Sequence, residues 1–212
     1  MHKAKSYLTL FLPYMTGILS LLCFAACGEN KTSHYSILPQ DLKLEAGDIV
    51  FRQGESMASN AVRVADRNGC YSHIGIVVDS AGIPMIVHAV PNEPDFEGDT
   101  DRVKMDSPKN FFQRSRAEIG EVMRISQPQQ AQKAAREAFR LYRKGIPFDH
   151  EYDETDSTKM YCTELVLYVY QNIGIDLRTG PRTDINIPGF EAKCYFPSSV
   201  HRSEKLKSVR IF

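Results

Sequence analysis

The sequence predicts an α+β fold. Three observations carry that expectation. Two apolar, β-branched runs at 72–78 and 84–90 flank a short turn of Asp, Ser, Ala and Gly, the pattern of a hairpin. Two later segments, 129–144 and 161–173, have helical composition and periodicity. Hairpins and helices follow one another without the regular βαβ alternation of a parallel sheet.

Each element has its own local reason. Ala46-Gly47-Asp48 is a turn that leads into a strand at Ile49-Val50-Phe51. Residues 56–66 read as a helix, with Met57, Val62 and Val64 as expected core contacts. Asn68-Gly69 is a turn signal. The segment 91–100 holds Pro, Asn, Asp and Gly and is expected to be a loop. Residues 102–105 and 121–125 are further strands. Between them Ser107-Pro108 can open a short helix, since proline is tolerated at a first helical position. In 129–144, good helix formers dominate and Ala135, Phe139 and Tyr142 recur at helical spacing; Gly145 is the expected stop. An acidic loop, 149–156, precedes the second long helix. The tail 181–212 reads as irregular until a last strand at Val209-Arg210-Ile211-Phe212.

The 212 residues carry 26 Lys+Arg against 26 Asp+Glu, and 42% are hydrophobic. A balanced charge of this kind excludes an acidic or basic tail protein and removes the electrostatic case for nucleic acid. No repeat is visible, and one domain is expected over 46–212. Ahead of it, His2, Lys3 and Lys5 precede an apolar run at 8–24 closed by Ala25 and Ala26, the layout of a secretory signal. Phe24-Ala25-Ala26-Cys27 resembles a bacterial lipobox, with Phe24 in the place usually held by Leu. The expectation is a lipoprotein signal peptide over 1–26, then a lipidated Cys27 and tether over 27–45. The protein would then be anchored to the membrane in the cell envelope, facing the periplasm or exterior. A plain signal peptide or a short anchor is the alternative. Cys70, Cys162 and Cys194 remain, an odd number for an oxidising space. Either one is left free for chemistry or all are buried, and a Cys70–Cys194 disulfide stays open.

Cys162 stands at the start of the second long helix. Leu165, Val166, Val169 and Ile173 share its face, so the thiol projects inward near a helix end, where N–H groups and the dipole favour thiolate. A buried inert thiol is the plain alternative. In Tyr71-Ser72-His73-Ile74-Gly75-Ile76-Val77-Val78, period two puts His73, Gly75 and Val77 on one face. If the hairpin closes on Ser80-Ala81, or over 79–82, His88 lies directly opposite His73. His88 can then fix the His73 tautomer and leave the other ring nitrogen to accept the thiol proton, which makes nucleophile, base and orienter.

Four segments, in order, carry a more specific resemblance. They are Gly47-Asp48-Ile49-Val50-Phe51, Ser72-His73-Ile74-Gly75 with Val87-His88-Ala89, Gly145-Ile146-Pro147-Phe148-Asp149, and Tyr161-Cys162-Thr163-Glu164-Leu165-Val166. Together they resemble the NlpC-type papain-like cysteine peptidases. Because His73 precedes Cys162, the order is similar to the circularly permuted, YaeF/YiiX-type papain-like amidases. The resemblance implies a central antiparallel sheet packed against helices, with the Cys at a helix N-terminus. It also implies Cys162 as nucleophile, His73 as base and His88 as the third polar residue. In that branch the third position is often Glu, and His88 is more similar to the unpermuted enzymes. Tyr71 and Tyr161 are expected to line the substrate, with a packed aromatic as the alternative for Tyr71.

The activity expected is a cysteine hydrolase, peptidase or amidase, acting through a thioester on peptide or amino-acid amides of the cell wall, such as those derived from peptidoglycan. No cofactor, metal or nucleic acid is expected. The alternatives are acyl chemistry on lipids, as in lecithin:retinol acyltransferase-like enzymes, or binding without turnover. A calcium loop at 149–160 fails the EF-hand spacing. A zinc set of Cys70, His73, His88 and Cys162 fits no standard zinc pattern. His34, His150 and His201 sit in polar contexts and are expected at the surface.

Overall fold

A computed structural model describes residues 35–67, 69–187 and 190–212. The expected signal peptide, Cys27, His34 and Asn68 lie outside the described residues. The element order is β1 (Ile49–Gln53), α1 (Met57–Ala65), β2 (His73–Ser80), β3 (Ile83–Val90), β4 (Arg102–Asp106), α2 (Pro108–Phe111), β5 (Ile119–Ile125), α3 (Pro128–Lys144), α4 (Cys162–Gln171), β6 (Thr183–Ile187), β7 (Phe190–Cys194), α5 (Pro197–His201) and β8 (Leu206–Ile211). Six strands form one antiparallel sheet in the order β4-β3-β2-β1-β5-β8, and β6 pairs only with β7. The α+β expectation holds. Among the described residues no helix is long and apolar enough to cross a membrane.

The sheet separates two apolar layers, and period two decides which residues enter each. Ile49, Phe51, Ile74, Ile76, Val78, Val87 and Ala89 face α3 and α4 and make the larger core. Val50, Val77, Ile86 and Val122 face the other way, against Phe111 and Phe112. Helix α3 buries Ala131, Ala134, Ala135, Ala138 and Leu141, a stripe of small side chains that lets its backbone come close to the strands. Phe139 and Tyr142 are only partly buried against the core. Gly47 shows how close the approach is. Its φ is +93°, and a Cβ there would lie 2.3 Å from the Ala131 carbonyl oxygen. Gly145, with φ 65°, ends α3 as the sequence predicts.

Three expectations need correction. The β2–β3 hairpin turns on Ala81-Gly82, with Ser80 paired to Ile83, so the register is two residues from the one expected. Ala81 and Gly82 both take positive φ, 55° and 84°, as a type I′ turn requires. Helix α1 forms behind its N-cap Ser56 but buries no residue completely. Met57 and Val64 are exposed, not core contacts; Val62, the third expected contact, packs partly buried against the core together with Ala65. The tail is not irregular, because β6, β7 and α5 precede a last strand that starts at Leu206. These pieces are too short to show a period.

Candidate active site

Two histidines meet on the sheet face that looks away from α4. His73 opens β2 and pairs with Arg52 of β1; His88 lies on β3 beside Lys104 of β4. Both imidazoles are buried. The observed register makes them diagonal rather than opposite, yet parity keeps them on one face. His73 Nε2 lies 2.9 Å from His88 Nδ1. Gly75 makes the room for this, since a Cβ there would come within 3.2 Å of the His88 Cβ and 2.8 Å of Ile86. Phe111 of α2 packs 5.6 Å from the His73 ring and 5.1 Å from the His88 ring. The Arg52 guanidinium sits over the same phenyl ring, 4.7 Å from its centroid.

Behind the pair is a charged layer the sequence did not disclose. His88 Nε2 lies 3.3 Å from Asp106 Oδ2, and Arg116 donates to the same oxygen at 3.1 Å. Lys104 Nζ is 3.8 Å from the other oxygen. Arg52 is ion-paired with Glu93, and Lys104 with Asp95. Burial alone would raise the Asp106 pKa, but His88, Lys104 and Arg116 outweigh it and hold the carboxyl at about 2. Burial first, then the positive charges of Arg52 and Arg116, keeps His73 well below the usual imidazole value. Burial also lowers His88, against the pull of Asp106. Both rings are therefore neutral at pH 7.

Cys162 is the first residue of α4, after the N-cap Tyr161. The Glu164 carboxyl turns back to accept the Tyr161 N–H at 3.3 Å. Burial pushes that carboxyl up to about 8, with Asp149 and Glu154 adding to the effect, so it carries a proton at neutral pH. Burial likewise raises the Cys162 thiol. The Thr163 hydroxyl, 3.9 Å away, and the N–H groups of Thr163, Ile74 and Cys162 itself pull the other way and do not win. A helix N-terminus contributes only about 0.3–2 kcal/mol to an anion, so desolvation decides. The resting thiol is neutral, contrary to the thiolate the sequence suggests.

Helix α4 packs on the sheet face opposite the histidines, and the two meet where β2 begins. There a cavity of about 270 Å³ is lined by Cys162, His73, Arg52, Tyr161, Cys194 and Phe196. Tyr161 is thus at the cavity, its hydroxyl donating to Glu154 at 2.6 Å. Tyr71 is not among the lining residues. It is buried in the core, and its hydroxyl donates to Glu121 at 2.6 Å, which is the packed-aromatic alternative. His201, expected at the surface, shares Glu121 at 2.8 Å and is about one-third exposed. His150 is exposed, 3.2 Å from Asp101.

Cys70 and Cys194 are free thiols, one exposed and one buried. Among the described residues no group of three or more His, Cys, Asp or Glu is placed to hold a metal ion. In the acidic loop Asp149 is buried and accepts the N–H groups of Glu151 and Asp153, which makes it a turn pin. Asp106 was missed by sequence reasoning. Asp106 reads as an ordinary strand-end carboxylate, and its partner is 18 residues away.

A cysteine at a helix N-terminus packed on an antiparallel sheet, with the histidine strand earlier in the chain, defines a papain-like fold of permuted order. The model of the permuted papain-like amidase enzymes, the YaeF/YiiX or C92 family, matches residues 43–207, and the chain belongs to that family. It is accordingly a cysteine peptidase or amidase in general character. A crystal structure described as the metalloprotein yiiX from Escherichia coli O157:H7 superposes with a TM-score of 0.64 at 24% identity. The match covers 80% of this chain and 98% of that one and supports the fold. None of the curated proteins compared with the chain matches it.

Proposed function

We propose that the protein is a thiol hydrolase that opens an amide bond through a thioester on Cys162. The observation that carries this reading is the shared cavity of Cys162 and His73, with His73 Nε2 already engaged by His88. Nδ1 of His73 is then the ring nitrogen left for the thiol. As Cys162 Sγ attacks the carbonyl carbon, His73 Nδ1 takes the thiol proton. The tetrahedral intermediate collapses, the C–N bond breaks, and the same proton goes to the leaving amine. Water then attacks the thioester with His73 as base, releasing the acid and restoring the thiol. The Cys162 N–H, at the start of α4, can donate to the developing oxyanion.

The substrate class that suits this reading is a peptide or amino-acid amide of the cell wall, met at a membrane surface to which a lipidated Cys27 would tether the domain. The test is turnover of a panel of cell-wall peptides by wild type, Cys162→Ala and His73→Ala, with intact-mass detection of the acyl-enzyme. Expected is an acylated wild type and a loss of about 10³-fold or more in Cys162→Ala. Retained turnover in that variant would overturn the assignment. A burst of acyl release from a lipid ester, with no peptide cleavage, would replace the amide substrate by a lipid one.

A further inference from the structure

We propose that Asp106 is a positioning residue that sets the tautomer of both histidines and so makes His73 Nδ1 the proton acceptor. This inference rests on the reading of Cys162 and His73 given above. The argument is one of donors and acceptors along a line of four atoms. Asp106 Oδ2 can only accept, because its carboxyl is ionised and Arg116 already donates to it. His88 Nε2, at 3.3 Å from that oxygen, must therefore carry its hydrogen. A neutral imidazole has one N–H, so His88 Nδ1 is bare. The 2.9 Å contact from His88 Nδ1 to His73 Nε2 then needs a hydrogen on His73 Nε2. His73 is neutral as well, and its Nδ1 is left with a lone pair at the cavity that Cys162 lines.

Without Asp106 the order of hydrogens has no fixed end. A flip of the His88 tautomer would put a hydrogen on its Nδ1 and turn His73 Nε2 into an acceptor. His73 Nδ1 would then carry a hydrogen and could not receive the thiol proton. The surroundings keep the carboxylate in place. Arg116 bridges Asp106 and Glu93, at 3.1 and 3.2 Å, and Lys104 lies between Asp106 and Asp95. Phe111 packs against both rings and restricts their rotation. Asp106 touches neither cavity nor substrate and acts only through His88.

The experiment is ring 15N–1H correlation of the histidines at neutral pH, joined to kinetics of Asp106→Leu and Asp106→Asn. In wild type both His73 and His88 are expected to show Nε2–H and bare Nδ1. Asp106→Leu removes the acceptor, so the His73 tautomer should become mixed or invert. Its kcat should fall about 10²-fold, the lower end of what a general base contributes, with little change in KM. Asp106→Asn can place a carbonyl oxygen where Oδ2 stands, facing His88 and Arg116. It should keep the wild-type tautomers and lose less than about tenfold in kcat, a partial rescue by an acceptor without charge. An Nδ1–H on either histidine of the wild type overturns the proposal. So does Asp106→Leu with unaltered tautomers, or equal losses in the two variants, since these are what a merely structural residue gives. If Asp106→Leu fails to fold, Asp106→Ala, which also removes the acceptor, is put to the same two readouts, and unaltered tautomers in it overturn the proposal. Cys162→Ala retaining turnover, with the tautomers as expected, would remove the hydrolase reading and leave the tautomer assignment standing.

Discussion

Cys162 presents a competition between two local fields. The start of α4 offers N–H groups that favour a thiolate, while the buried setting disfavours any charge, and burial prevails. His73 is pushed the same way, toward its neutral form. A preformed thiolate–imidazolium pair is thus absent at rest, and the proton must move during attack. Alkylation of Cys162 by iodoacetamide should accordingly rise with pH to an apparent pKa above the ordinary thiol value of ~8.5. His73→Ala should leave that value nearly unchanged while removing turnover. An apparent pKa below about 7 in wild type, rising in His73→Ala, would show an ion pair instead.

The elements differ in how much of their role was legible. Cys162, His73 and His88 could be read because each lies in a segment with a clear period. The parity that put both histidines on one face survived an error of two residues in register, since only an odd shift would have separated them. The error came from Ala81, which adopts a positive φ that nothing in its side chain signals. Asp106 could not be read, because its meaning depends on β4 lying beside β3. Helix α1 was read correctly as a helix and wrongly as a core element. It has no buried residue, whereas α4 buries Leu165, Val166 and Val169 completely. Met57→Ser and Val64→Ser should therefore change stability by less than about 0.5 kcal/mol. Leu165→Ala should cost about 2–5 kcal/mol. Urea unfolding of the three variants measures this directly, and a loss above about 1 kcal/mol for either α1 variant would contradict the exposed placement.

At the scale of the whole molecule, the buried titratable groups oppose one another across the neutral range. His73 and His88 have folded pKa values below the ordinary ~6.5, so beneath that pH the unfolded chain binds protons that the folded one refuses. Their contribution to stability is complete above about pH 6.5 and is lost as pH falls toward their folded values. Glu164 acts in the other sense. Its folded pKa is about 8 against a reference of 4.5, so it contributes fully below the reference value and loses that contribution as pH rises through 8. Below about pH 6.5 the unfolded chain takes up protons on both histidines that the folded chain refuses, against the one that folded Glu164 keeps, so stability rises with pH over the range in which both folded rings stay neutral. Between about 6.5 and 8, of these three groups only Glu164 differs, and its contribution falls. The buried thiols extend the fall at higher pH, with Cys194 held at about 12. Urea midpoints of the wild type should therefore peak near pH 6.5, and Glu164→Gln should flatten the curve from there to about pH 8 and steepen the acid limb, where the glutamate no longer opposes the histidines. A wild-type curve that stays level from pH 5 to 8 would mean that the histidine pair and Glu164 are not held neutral by the fold.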